Sequence, residues 1–222
     1  YQRTAYEYAP HERASAAGYA AIYAFREYLK VVDEPNKLAA RRDTVASSLK
    51  FADTFADHEH APVVLGAAAD DLYDMNDFSA ALSAGRKLIE RYPGAAAPVR
   101  RSAWMVVAHS SLELADYPNA EQAYVRVLDL TPREDESYAG LVENMAAAIY
   151  KQGEQANEQG NYRAAADHFL RIKQAAPTAT IRAAAEYDAG AALIRLEDWT
   201  AAASVLDAFR QTYPEHELQR EA

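Results

Sequence analysis

The chain has 222 residues, 50% of them hydrophobic, and its 33 acidic against 23 basic side chains leave a formal net charge of −10. That balance argues against a nucleic-acid groove, where Lys and Arg must neutralise phosphates, and no uninterrupted apolar run approaches the roughly 18 residues needed to cross a bilayer. Cysteine is absent, which excludes disulfides, thiolate metal sites and cysteine nucleophiles.

Taken in chain order, residues 1–9 read as the tail of a helix, because Tyr1, Ala5, Tyr6 and Tyr8 precede Pro10 much as Tyr92 precedes Pro93. Helices are expected over 11–31 and 37–55, joined by the loop Val32-Asp33-Glu34-Pro35-Asn36. Eight more follow at 61–75, 78–91, 97–114, 118–130, 135–158, 161–175, 179–196 and 199–212. Pro93, Pro132, Pro177 and Pro214 fall between them, and Pro62 and Pro98 at the very start of a helix, where a residue without a backbone N–H does no harm. Alanine makes up roughly a fifth of the chain and is the best helix former. No segment alternates apolar and polar residues with a period of two, so no sheet is expected. From His216 to Ala222 a further first helix begins. The chain therefore reads as a piece of a longer protein, with any targeting or anchoring sequence outside it.

Within this series one pattern recurs four times in fixed register. A small residue (Ala69, Ala108, Gly153, Gly190) is followed nine residues later by an aromatic (Phe78, Tyr117, Tyr162, Trp199). Three residues on stands an alanine (Ala81, Ala120, Ala165, Ala202), and twelve further a proline (Pro93, Pro132, Pro177, Pro214). Asp77, Asp116, Asn161 and Asp198 stand just before the aromatics and suit the N-cap of a second helix. The small residue lets two helices cross closely, and the alanine is read as its matching contact. Each copy is thus helix, tight turn, helix, stop. The prolines recur at steps of 39, 45 and 37 residues, the long step arising at Arg133–Ser137 and a longer first helix.

These four positions resemble those of the tetratricopeptide repeat, and Trp104 stands four residues before Ala108, where that family often has tryptophan. The resemblance implies an all-α fold: an α-solenoid of about five stacked antiparallel helix pairs in a right-handed superhelix. It divides the chain into the end of a preceding repeat (1–10), a degenerate repeat (11–60), four repeats (61–96, 97–134, 135–178 and 179–215) and the start of a next helix (216–222). The loops Tyr92-Pro93-Gly94 and Tyr213-Pro214-Glu215-His216, followed by alanine-rich helices, resemble bacterial envelope proteins of the BamD and CpoB type. That likeness implies a periplasmic or outer-membrane-associated location, with the cytoplasm as the alternative.

Candidate chemistry is sparse. His58-Glu59-His60 could supply two metal ligands, but His11 and His216 occupy similar inter-repeat turns, which makes His58 part of a loop pattern. Asp70, Asp71, Asp74 and Asp77 read as a solvated face plus a cap. His109 and His168 lie on alanine-rich helices, and no phosphate loop, HExxH or nucleophile elbow occurs. Neither catalysis, metal nor cofactor is therefore expected. The resemblance implies a non-catalytic scaffold holding a peptide or partner helix in a concave groove lined by first helices. The alternative is a regulatory or structural segment of a larger envelope enzyme whose catalytic domain lies elsewhere. Carried over by register, the groove positions are Tyr73 from the first copy, Met105, His109 and Leu112 from the second, Tyr150, Glu154 and Asn157 from the third, and Tyr187 and Ile194 from the fourth. Asp70 and Arg195 flank them. The expected partner is a protein or peptide; nucleic acid is not expected, no span crosses a membrane, and the oligomeric state is left open.

Overall fold

The structure, a computed structural model, describes residues 1–9 and 11–220. Pro10, Glu221 and Ala222 lie outside it, and with them the edges of the first and last expected segments. Eleven α-helices follow one another among the described residues, with no strand: α1 Gln2–Tyr6, α2 Ala14–Leu29, α3 Glu34–Thr54, α4 Ala61–Asp74, α5 Phe78–Arg91, α6 Ala97–Glu113, α7 Tyr117–Asp129, α8 Tyr138–Glu158, α9 Tyr162–Ala175, α10 Arg182–Arg195 and α11 Trp199–Thr212. A short 3-10 turn covers Glu217–Arg220. None of these helices is long and apolar enough to cross a membrane.

The chain forms two compact units, Tyr1–Ser110 and Ser111–Ala222. In the first, α1 packs on α2, α2 on α3, α3 on α4 and α4 on α5. In the second, α7 packs on α8, α8 on α9, α9 on α10 and α10 on α11, while α8 also touches α10. Successive helices thus form antiparallel pairs, and within a unit each pair stacks on the next. That order follows from the apolar spacing. Ala165, Ala166, Phe169 and Ile172 form one buried stripe on α9, and Ala120, Ala123, Tyr124 and Val127 form another on α7. The first helix α8, packed between α7 and α9, buries a wider face that includes Leu141, Met145, Ile149 and Gly153.

The repeat positions are buried: Ala69, Ala108, Ala81, Ala120 and Ala165 are fully enclosed, with Gly153, Gly190 and Ala202 close behind. The contact made by the small residue differs from the expected one. A Cβ built on Gly153 would stand 2.5 Å from the Phe169 ring, and one on Gly190 would strike Leu206. Each of these large residues lies one helical turn beyond the repeat alanine, so the small residue makes room for a bulky side chain as well as for a helix.

Every tight turn has the same geometry. Asn76, Ala115, Gly160 and Glu197 take left-handed backbone conformations, with φ of 60°, 57°, 75° and 62°. The next residue's N–H reaches back five residues (Asp77 to Leu72, Asp116 to Ser111, Asn161 to Ala156, Asp198 to Leu193), and the left-handed residue's own N–H reaches back three. This pair of bonds is a Schellman cap, which satisfies the last carbonyls of the first helix. The second helix then starts at once. Asp77, Asn161 and Asp198 accept from the N–H groups of Ala80, Ala164 and Ala201 as expected. Asp116 instead accepts from the side-chain amide of Asn119 at 2.6 Å. Before three of the repeat prolines the chain leaves helical geometry at Tyr92, Ala176 and Tyr213, because the proline ring disfavours the α region there.

The expected starts shift by three residues in four helices, that of α10 from 179 to Arg182. α3 starts at Glu34 and takes Pro35 into its first turn, where a missing N–H costs nothing. α2 starts at Ala14 rather than residue 11. α8 starts at Tyr138 because the Asp135 carboxylate accepts from both the N–H and the hydroxyl of Ser137, holding that turn outside the helix.

Candidate functional site

In the first unit, the expected groove residues lie on α4 and α6. Asp70 accepts from the Ser102 hydroxyl at 3.4 Å, which ties the two helices. Its carboxyl sits above the usual range because packing removes water from it and Asp71 and Asp74 repel its charge. Asp71 itself pairs with Arg26 of α2 at 3.0 Å. The Tyr73 ring stands 5.4 Å from Phe78 and 5.7 Å from His109. Tyr73 therefore shares its surface between the core and the open face; Met105 and His109 are half-buried beside it on α6.

The second unit holds the remaining residues and the more developed site. Where α8 touches α10, a cleft of about 200 Å³ opens, lined by Tyr150, Glu154, Asn157, Asp188 and Arg195 over a floor of Phe169, Ala191 and Ala192. Four of the expected residues meet here: Tyr150, Glu154, Asn157 and Arg195. Tyr150 donates its hydroxyl to the Asp188 carboxylate while its ring leans on Phe169 at 5.0 Å. Arg195 donates to Asn157 at 3.4 Å and lies 5.9 Å from the Tyr162 ring. Glu154 pairs along its own helix with Lys151 at 2.6 Å. Leu112, Tyr187 and Ile194 do not line this cleft. Leu112 is half-buried, Tyr187 has its ring 5.9 Å from Phe209, and Ile194 is 42% exposed.

The cleft's titratable groups perturb one another. Burial raises the Tyr150 hydroxyl, and the hydrogen bond to Asp188 together with the negative charges of Asp188 and Glu154 raises it further, so it stays a donor at neutral pH. Burial also raises the Asp188 carboxyl, and Glu154 adds to the effect against the opposing pull of the Tyr150 hydrogen bond. The arrangement can accept hydrogen bonds and positive charge; no nucleophile–base pair is assembled in it.

The third and fourth copies, residues 147–179 and 184–216, match the family model of the tetratricopeptide repeat. Those two copies are similar to tetratricopeptide repeats. No curated protein matches it. Solved structures with similar coordinates include MamA 41-end from Desulfovibrio magneticus RS-1, at 13% identity and a TM-score of 0.42, covering 88% of this chain and 97% of that one. A Podosopora anserina protein with nearly identical TPR-like repeats covers 92% and 97%, at 13% identity and a TM-score of 0.48. The TPR2AB domain of yeast Sti1, in complex with a pHSP90, covers 93% and 80%, at 13% identity and a TM-score of 0.41.

Register within the repeats placed four cleft residues but missed Asp188. It stands two residues before Gly190, whereas the groove positions were counted at three and seven before the small residue and one and four after it. The available signal was the acid beside Tyr187 on a first helix. A second cleft, of about 610 Å³ in the first unit, lies between two inter-repeat loops, with Asp57, His58, Tyr92 and Pro93 in its walls. There His58 Nδ1 accepts from the His60 N–H at 3.2 Å. Among the described residues no group of three or more His, Cys, Asp or Glu could hold a metal ion.

Proposed function

We propose that this chain is a non-catalytic protein–protein interaction scaffold whose first helices hold a peptide or a partner's helix. The carrying observation is the α8–α10 cleft, where helix stacking leaves a concave, half-polar surface with a rigid aromatic donor beneath it. Tyrosine combines a large contact area with a polar tip and recurs at binding hot spots. The loop style around Pro93 and Pro214 supports a place in the bacterial envelope.

The test is selection of random linear peptides displayed on phage, followed by affinity measurement with variants. Tyr150 and Tyr187 both touch buried aromatics, so truncating them reads stability and binding together. Ile194 is exposed, and Ile194→Asp separates the two. We expect an unchanged melting temperature for that variant and at least tenfold weaker capture of selected peptides. Undiminished capture would remove the α10 face from the binding surface.

A further inference from the structure

We infer that the cleft between α8 and α10 is a side-chain pocket that takes one lysine or arginine of the bound segment. This deepens the scaffold reading and rests on it.

The inference starts from an imbalance inside the cleft. Asp188 is half-buried, and among the described residues its side chain has the Tyr150 hydroxyl as its one donor and no ion pair. A carboxylate offers about four lone-pair sites, and a charge taken out of water demands compensation. Glu154 lines the same cleft and adds a second acid. The cleft's own cation does not serve them: Arg195 donates to Asn157 and lies over Tyr162, and among the described residues it forms no ion pair with either carboxylate. Lys151, which pairs with Glu154, lies on the exposed side of α8.

Shape and lining complete the description of the occupant. About 200 Å³ falls below the roughly 300–1,000 Å³ of pockets for whole small ligands, and suits a single long side chain. Phe169, Ala191 and Ala192 form an apolar floor against which a methylene stem can lie while its charged head reaches the acids. An apolar residue would leave the Asp188 charge with the Tyr150 hydroxyl alone, and an acidic one would meet two like charges. The chain's net charge of −10 favours approach of a basic segment from a distance.

The test uses the full chain and random linear nonapeptides displayed on phage, selected on the wild type and on Asp188→Asn. Asparagine keeps the shape and an oxygen that accepts from Tyr150, so folding is preserved; Glu154→Gln provides a second lesion in the same cleft. Peptides selected on the wild type are expected to share a Lys or Arg at one position. Replacing it by norleucine should weaken binding at least tenfold on the wild type, and less than twofold on Asp188→Asn. The wild-type complex should also weaken as salt rises. Selected peptides without a shared basic position, or an unchanged norleucine penalty on Asp188→Asn, would overturn the pocket. The groove would still stand if Ile194→Asp abolished their capture. Failure to enrich any peptide on the wild type would bring down both readings.

Discussion

Three of the four tight turns place a side-chain-bearing residue where glycine is at ease. Ala115 and Glu197 hold φ of 57° and 62°, as Gly160 does at 75° and Asn76 at 60°. For an L-residue with a Cβ, left-handed geometry costs about 1–2 kcal/mol, partly offset by the greater freedom that glycine loses on folding. Ala115→Gly and Glu197→Gly should therefore each stabilise the chain by about 0.5–1 kcal/mol, and Gly160→Ala should cost a similar amount; urea unfolding curves measure all three. The opposite demand holds at Gly153, where a new Cβ would lie 2.5 Å from the Phe169 ring and 2.7 Å from a second atom of it. Gly153→Ala should destabilise by about 1–3 kcal/mol through overpacking, as should Ala165→Leu at a fully enclosed site. A neutral melting shift for Gly153→Ala would show that α8 and α9 cross less closely than they do here.

At the scale of the element, caps and polar ties hold one helix to the next. Asp77, Asn161 and Asp198 cap through the backbone, whereas Asp116 accepts from Asn119. Alanine at Asp77 should accordingly cost about 1 kcal/mol, and alanine at Asp116 clearly less, as read by thermal unfolding of the two variants side by side. Glu121 of α7 accepts from Arg171 of α9 and from Gln152 of α8, joining three helices. Burial alone would raise its carboxyl, but the Arg171 and Gln152 hydrogen bonds outweigh that and hold it below the ordinary value of 4.5. A carboxyl lowered by folding contributes stability above its ordinary value and loses it as pH falls through the folded one. Glu121→Gln should thus cost about 1.5–3 kcal/mol near neutral pH, with the gap to wild type closing as acid carries the solution below 4.5. A gap that stayed constant with pH would mean that the lost interaction is packing rather than charge.

At the scale of the whole molecule, the two compact units are built by one rule: helix pairs joined by Schellman turns and stacked through small residues. No strand occurs among the described residues, and no group of acids and histidines there could hold a metal. The far-UV circular dichroism spectrum should be helical without a strand component, and protein dialysed extensively should retain no stoichiometric metal; elemental analysis checks the second point. Bound metal at one equivalent would reopen His58 and His60 as ligands.

Helix pairs, their order and most of their ends were legible in the residues, because spacing, capping and proline geometry are local. Ala81, Ala165 and Gly153 could be recognised as crossing points for the same reason: a period of 37 to 45 residues forces equivalent positions into equivalent surroundings. The left-handed residues at Ala115 and Glu197 were not legible, since alanine and glutamate carry no preference for that conformation and the cap beside them decides it. Nor was the cleft. Tyr150 meets Asp188 across 38 positions and Arg171 meets Glu121 across 50. Such pairings depend on how far one helix slides and turns against another. Periodicity leaves that displacement open; packing sets it, and with it which acid is left facing the cleft with a single donor.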